Sequence, residues 1–352
     1  MARSVQTKME FDIVVATRNR QLALPLSVPL MLSQNRLPRR FIVVDASDNH
    51  MEVRAILERI ISDSNVNVDL QIINSAAGSS LQRNIGLKYV QSPVVLFPDD
   101  DALWFDNVAE SLLRIYENDK DNTIGAVCAT ESIVPPEGLI DNKQPKYHME
   151  FRDRIQHLIG NFERVFEDRL FPDPFFIDNY PAIKEKDLQN WLSNEDGVLS
   201  GPMTGFRMSF RTDIIKRLKF DEALGRYALF EDRDASLNVL HDYLIVRAKK
   251  AKVFHYRVPE KRVDGIEWGM MHVLNRAYVI CKHHEPGSLA RRQLKKYSYY
   301  KLVRYLMQAQ THYGFQRVVG AWRALSKVSV LLDTPKEELS QKYEELRSAC
   351  LK

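Results

Sequence analysis

Val94-Val95-Leu96-Phe97-Pro98-Asp99-Asp100-Asp101 sets an apolar run directly against three consecutive carboxylates. Four apolar residues in a row suit a short buried strand reaching the surface, and Pro98 stiffens the exit that aims the acids. Three uncompensated carboxylates in a poorly solvated cleft repel one another, and a divalent cation is the usual compensation because hard cations prefer oxygen ligands. The other reading is an acidic helix start, with an Asp capping a helix that opens at Ala102-Leu103-Trp104-Phe105. The flanking sequence favours the cation.

Upstream, short apolar runs alternate with helical patterns. Phe11 to Ala16 reads as a strand, Thr17-Arg18-Asn19-Arg20 as its exit loop, and Leu22 to Leu32 as a helix that Pro25 suits at its start and Pro29 either kinks or delays. Phe41 to Val44 is a second strand ending at Asp45, Glu52 to Ile61 a helix, and Val68 to Ile73 a third strand. Ala77-Gly78-Ser79-Ser80 supplies a loop and N-cap for a helix over Leu81 to Val90. This alternation predicts an α/β fold with a mostly parallel sheet, whose ligands bind beyond the carboxyl ends of the strands. Those exits carry Thr17 to Arg20, Asp45 and Asp99 to Asp101, a cationic and acidic mixture suited to a diphosphate with its metal.

Downstream, a helix over Asn107 to Tyr116 and a strand over Ile124 to Ala129 precede a weaker pattern. Ser132 to Asn194 is rich in Pro, Asn, Asp and aromatic residues, with one helix over Phe151 to Phe166, and reads as an acceptor-side insertion within 132–200. Gly201 to Phe210 carries glycines that permit close backbone approach before another strand. From Gly265 the chain reads as helices broken near Pro286-Gly287 and Gly314.

The 352 residues and 45% apolar content suffice for a large core, and a net charge of +4 argues for neither a nucleic-acid wrapper nor an acidic tail. Cys128, Cys281 and Cys350 lack metal-ligand spacing and read as reduced thiols in a cytosolic setting. Met1 to Glu10 has no apolar core of a secretory signal, and no run is long and apolar enough to span a bilayer.

With these residues in order, residues 10 to 260 resemble the family 2 glycosyltransferases, inverting enzymes of the GT-A fold. Phe11 to Arg20 resembles the family's opening strand and Thr-x-Asn-Arg loop, and Val43-Val44-Asp45-Ala46-Ser47-Asp48 its second strand end, with Ala46 in place of one of two usual acids. Gln82-Arg83-Asn84-Ile85-Gly86 matches Arg-Asn-x-Gly and Asp99-Asp100-Asp101 the Asp-x-Asp metal motif, while Phe220-Asp221-Glu222 and Glu231-Asp232 match the acceptor-side motifs. The resemblance implies a GT-A domain over 1–262 and a helical region over 263–352. It implies nucleotide binding by Thr17, Asn19, Arg20, Asp45, Arg83, Asp99 and Asp100, with Asp45 accepting from uracil or thymine N3–H and Asp99 binding the ribose. It implies Mn²⁺ or Mg²⁺ on Asp101 and Asp99, with His255 as a further ligand or else a buried His satisfied by backbone. A donor-sugar pocket falls to Met203, Thr204 and Gly205.

An inverting transfer needs a base for the acceptor hydroxyl and charge neutralisation on the departing diphosphate. Asp232, after the apolar Tyr227-Ala228-Leu229-Phe230, is the candidate base and Glu231 the near alternative, since adjacent helical residues point apart. The alternative role for both is an ordinary acidic helix start. Between Lys282 and Lys327, ten Lys or Arg residues face the single acid Glu285, with Tyr297, Tyr299, Tyr300, Tyr305, Tyr313 and Trp322 interleaved. Such a stretch suits either an anionic membrane surface or a helical bundle that packs its rings inward. The expected protein moves a sugar from a UDP- or dTDP-sugar to a saccharide or lipid-linked acceptor on the cytoplasmic face of the plasma membrane, as a step in building cell-surface polysaccharide or glycolipid. No nucleic acid partner is expected, and the competing functions are a sugar nucleotidyltransferase and a catalytically silent nucleotide-sugar binder.

Overall fold

A computed structural model describes residues 8–139, 169–177, 191–225, 227–257 and 263–351. The described residues group into two compact units, one drawn from 1–140 and 180–260 and the other from 141–179 and 261–352. The helix expected over Phe151 to Phe166 lies outside the described residues.

The first unit is built on a nine-stranded sheet in the order β3-β2-β1-β4-β8-β6-β9-β5, with β7 paired to β9. The strands are β1 (Phe11–Thr17), β2 (Arg40–Asp45), β3 (Asp69–Asn74), β4 (Val94–Phe97), β5 (Ala102–Trp104), β6 (Ile124–Ser132), β7 (Gly197–Leu199), β8 (Met208–Arg211) and β9 (Leu244–His255). Strands β1 to β4, β6 and β9 share one direction, while β5, β7 and β8 oppose it. The apolar runs of β1, β2 and β4 are buried on both faces, as a sheet covered by helices requires. Helices α1 (Leu24–Leu32), α2 (His50–Ser64), α3 (Ser79–Leu87), α4 (Val108–Asn118), α5 (Thr212–Leu218) and α6 (Glu231–Leu240) flank it.

Asp12 shows why one acid sits inside an apolar strand. Its fully buried carboxylate accepts from the backbone N–H groups of Arg40, Gln91 and Ser92 and from Ser92 Oγ at 2.7–3.2 Å, joining the starts of β1 and β2 to the approach to β4.

Some local alternatives are resolved and some expectations corrected. The segment after the three acids is strand β5 and not a helix, because Ala102 to Trp104 pair antiparallel with Val253 to His255. Pro25 does lie in the first turn of α1, and Pro29 sits inside the helix. Gly78 occupies the N-cap position of α3, so Ser79 and Ser80 are in its first turn with their hydroxyls released for other partners. Strand β7 lies in the stretch expected to be irregular.

The second unit contains helices α7 (Gly265–His283), α8 (Leu289–Met307), α9 (His312–Asp333) and α10 (Leu339–Leu351). Asp264, Ser288 and Thr311 cap the first three by accepting backbone N–H groups. The break expected near Gly314 falls just before it, between Met307 and His312, with Gly314 in the first turn of α9. A Cβ on Gly269 would overlap the backbone of Arg317, and one on Gly320 that of Ile266, which is the close approach of α7 to α9. Tyr297 and Tyr305 are buried, while Tyr299 and Trp322 are exposed. Arg291 is buried too, donating to the carbonyls of Cys281 (2.6 Å), His284 (2.7 Å) and Leu332 (3.2 Å) at the ends of α7 and α9. Part of the basic, aromatic stretch is thus internal scaffolding. No described helix is long and apolar enough to cross a membrane.

Candidate active site

Strand β4 ends in a turn that delivers Asp99, Asp100 and Asp101, and the pairing of β5 with β9 sets Ala102 opposite His255. That register brings His255 Nε2 to 3.2 Å from Asp101 Oδ1. One ligand atom from each of Asp99, Asp101 and His255 lies within 4.8 Å of the others, two oxygens and one nitrogen suited to a divalent cation. Phe206 stacks on the imidazole with centroids 4.6 Å apart and planes at 15°, fixing its orientation.

The electrostatics fit such an occupant. Burial raises Asp99 above the usual carboxylate range, Arg83 works against that, and the charges of Asp101 and Asp232 add to it. Burial, then the charge of Asp101, pushes Asp100 up to about 7 despite Arg20 and a hydrogen bond from Thr17. For His255, burial disfavours the charged ring, but the hydrogen bond and charge of Asp101, with the charge of Asp99, outweigh it and raise its pKa. Acids crowded together in a buried turn, with Asp99 and Asp100 raised by burial and by neighbouring carboxylates, are the condition that a bound cation relieves.

The β1 exit is tied to the same turn. Thr17 Oγ1 donates to Asp100 Oδ2 at 2.7 Å, Arg20 Nε stands 3.8 Å from Asp100 Oδ1, and Ser27 Oγ donates to the Asp100 carbonyl at 2.6 Å. Asn19, left-handed at φ 55°, donates to Asp48 and takes the Asp48 N–H in return, both at 2.9 Å, which pins the β1 and β2 exit loops together. Asp45 is placed beside Thr17 by the strand register.

Helix α3 bridges the acids to the second half of the site. Arg83 Nη2 donates to Asp99 Oδ1 at 2.8 Å, while Nη1 donates to Ser79 Oγ at 2.9 Å and pairs with Glu231. Ser79 Oγ at 2.5 Å and Ser80 Oγ at 3.1 Å donate to the two Glu231 oxygens. Glu231 is therefore the buried anchor of Arg83. Asp232 is half-buried and faces elsewhere: its Oδ2 accepts from Gly205 N–H at 2.9 Å and its Oδ1 from Arg233 N–H at 2.8 Å. Both stand in the first turn of α6, opened by left-handed Ala228 (φ 48°) and Phe230 (φ 76°). The divergence expected of neighbouring helical residues is observed.

The Gly201 to Phe206 segment borders this turn. Met203 is fully buried with its N–H on Ser236 Oγ at 2.9 Å, and Thr204 Oγ1 accepts from Arg207 Nε at 2.9 Å. Gly205 is the residue of the three that touches Asp232.

Sequence reasoning missed three contributors. Ser79 and Ser80 gave the signal of an N-cap, and their role as a clamp on Glu231 depends on a partner about 150 residues away. Gln82 Nε2 donates to the carbonyls of Thr17 (2.9 Å) and Val44 (2.7 Å), bracing the ends of β1 and β2, whereas in the sequence it stands only as a flank of the Arg-Asn-x-Gly match.

The chain is similar in structure to S. aureus TarS 1–349, solved in complex with UDP-GlcNAc, with TM-score 0.52, 14% identity, and 97% of this chain matched to 91% of that one. The mannosyltransferase PcManGT from Pyrobaculum calidifontis, solved with GDP-Man and Mn²⁺, gives TM-score 0.49 at 14% identity over 98% of this chain and 86% of its own. At such identity the TarS likeness is one of fold, here the GT-A arrangement of a mostly parallel sheet with flanking helices. No curated protein matches the sequence at a significant level. The family model "Glycosyl transferase family 2" covers residues 12–213, more than half of the chain, and holds the β1 exit, Arg83 and the three acids, so the protein belongs to that family and is a glycosyltransferase.

Proposed function

We propose that the enzyme moves a sugar from a nucleoside-diphosphate sugar, UDP- or dTDP-linked, to a saccharide or lipid-linked acceptor with inversion at the anomeric carbon. In the displacement, the acceptor oxygen bonds to that carbon as its bond to the diphosphate oxygen breaks, and the acceptor proton passes to Asp232. Asp99, Asp101 and His255 would hold a divalent cation, Mn²⁺ or Mg²⁺, which when bound would supply positive charge for the leaving diphosphate. Arg83 adds a fixed guanidinium between Asp99 and Glu231, and Thr17, Asn19 and Arg20 shape the nucleotide side at the β1 exit. Gly205 backbone N–H orients Asp232, and Met203 and Thr204 set the backbone around it for the donor sugar.

The observation that carries this reading is the hydrogen-bonded chain from Asp99 through Arg83 to Glu231, which sets the acid cluster beside the turn bearing Asp232. The TarS structure, whose fold is similar, was solved with a UDP-sugar, which supports a donor of that class. The test is a donor panel of UDP-, dTDP- and GDP-sugars with Mn²⁺, scored by thermal shift and then by NMR of the product. A raised melting temperature with a nucleotide sugar and an inverted anomeric centre are expected; retention of configuration would reject direct displacement.

We assign the catalytic role to a domain over 1–262 and membrane attachment to the helical region over 263–352, placing the enzyme on the cytoplasmic face, where it extends a polysaccharide or glycolipid. Helix α8 supports this with one exposed stripe, basic at Arg292, Lys295 and Lys296 and apolar at Tyr299, Val303, Leu306 and Met307. Basic residues attract anionic lipid while apolar ones enter the headgroup boundary. Flotation with vesicles containing anionic lipid, and not with neutral ones, is expected; indifference to lipid charge would defeat the assignment.

A further inference from the structure

Asp45 closes β2 beside Thr17, at the strand exits where an open α/β sheet receives its ligand. Its side chain, however, is fully buried and both its oxygens are engaged. Oδ1 accepts from Ser47 N–H at 2.9 Å, and Oδ2 lies 2.9 Å from His50 Nδ1. Ala46, the next residue, has no side-chain polar atom. The outward-facing member of the pair is His50, whose side chain is 37% exposed against 0% for Asp45.

A carboxylate can only accept, so Nδ1 of His50 is the donor in this bond, and in the neutral ring the second nitrogen, Nε2, then carries an acceptor lone pair. The ring is well supported. Asn49 caps α2 through the Glu52 N–H at 3.3 Å, Gln21 of the β1 exit loop donates to Glu52 at 3.3 Å, and Asp48 is locked to Asn19. His50 thus stands on the rim where the two exit loops join.

We infer that His50, oriented by Asp45, reads the nucleobase of the donor by accepting a ring N–H at Nε2, an inference that rests on the nucleoside-diphosphate sugar reading above. Asp45 is a positioning residue and does not touch the base. The chemistry selects bases with a ring N–H beside a carbonyl, namely uracil or thymine at N3 and guanine at N1. Cytosine N3 and adenine N1 present a lone pair at the corresponding edge, and two facing lone pairs repel.

The test is titration of UDP, GDP, CDP and ADP into the full chain with Mn²⁺, for wild type, His50→Ala and His50→Gln, with apo melting temperatures confirming that each variant folds. UDP and CDP differ only at the edge in question. Wild type should bind UDP about ten-fold tighter than CDP, the scale of one hydrogen bond plus the repulsion it replaces. His50→Ala should bring that ratio to within about two-fold, and His50→Gln, which keeps an acceptor carbonyl, should preserve most of it. Equal binding of UDP and CDP by wild type, or an unchanged ratio in His50→Ala, would overturn the role of His50 and leave the donor reading standing. Wild type that binds none of the four nucleotides, nor dTDP titrated alongside them, would overturn both.

Discussion

Glu231 and Asp232 are adjacent acids with different surroundings, and that difference underlies the separate roles proposed for them. Both oxygens of Glu231 are held by Ser79 and Ser80, and Arg83 pairs with it, whereas Asp232 takes one backbone N–H on each oxygen and stays half-buried. Asp232→Asn keeps the shape and removes the proton acceptor. It is expected to lower kcat by at least about 10²-fold with the donor KM nearly unchanged, as read by steady-state kinetics; near-normal turnover would move the base elsewhere. Glu231→Gln keeps an acceptor for one serine hydroxyl, presents an N–H donor to the other, and removes the charge that holds Arg83. The expected signature is a raised donor KM with a smaller loss in kcat, and the reverse pattern would make Glu231 the base. The identities of these acids were legible in the sequence because an Asp-Asp-Asp run after a strand and a Glu-Asp pair after an apolar loop are local signals. Which of the pair is clamped was not, since the clamp is Ser79, Ser80 and Arg83 from a distant helix.

Helix α3 does three separate jobs along its nine residues. Gln82 braces β1 and β2 through their carbonyls, Arg83 reaches the acids, and Asn84 ties down the loop after α5 by donating to the Phe220 carbonyl and Glu222 at 2.8 Å and accepting from Phe220 N–H at 2.9 Å. Gly86 lets the helix lie against the sheet, since a Cβ there would overlap Val14 Cγ1 and come within 3.3 Å of Val44 Cγ2. Gly86→Ala is therefore expected to destabilise the fold by about 1–3 kcal/mol, the scale of overpacking in a filled core. A urea midpoint equal to wild type would show that α3 can shift without cost. Asn84→Ala leaves a buried carbonyl and a loop N–H without their partner, with an expected loss of about 1–3 kcal/mol in the same measurement. The period of the apolar residues revealed that a helix stands here. Its start was misplaced by two residues because hydroxyl side chains favour N-caps, yet here they have a carboxylate to bind instead.

Across the whole molecule the three cysteines are buried and unbridged, in keeping with their spacing in the chain. Burial pushes the Cys281 thiol up to about 11 and raises Cys128 and Cys350 as well. A raised pKa lowers the thiolate fraction at any pH below it, so the native protein should show no fast reaction with a thiol reagent at pH 8 and all three groups should react after unfolding. Rapid native labelling of one equivalent would show that at least one of these sites opens readily.

Composition and periodicity were enough to establish an α/β chain with a parallel-type sheet, a run of helices beyond it, and acids gathered at strand exits, because each of these is written in neighbouring residues. Tertiary structure decided the rest. Only the antiparallel pairing of Ala102 to Trp104 with Val253 to His255 brings His255 against Asp101, and only the approach of α3 to α6 makes Glu231 an anchor and leaves Asp232 available. Likewise, Arg291 reads as a surface charge in the chain but is consumed by three carbonyls at helix ends. The physical reason is common to all three. A side chain's chemistry depends on what solvates it, and for a buried polar group the solvent is other residues, brought there by strand register and helix packing from far along the chain.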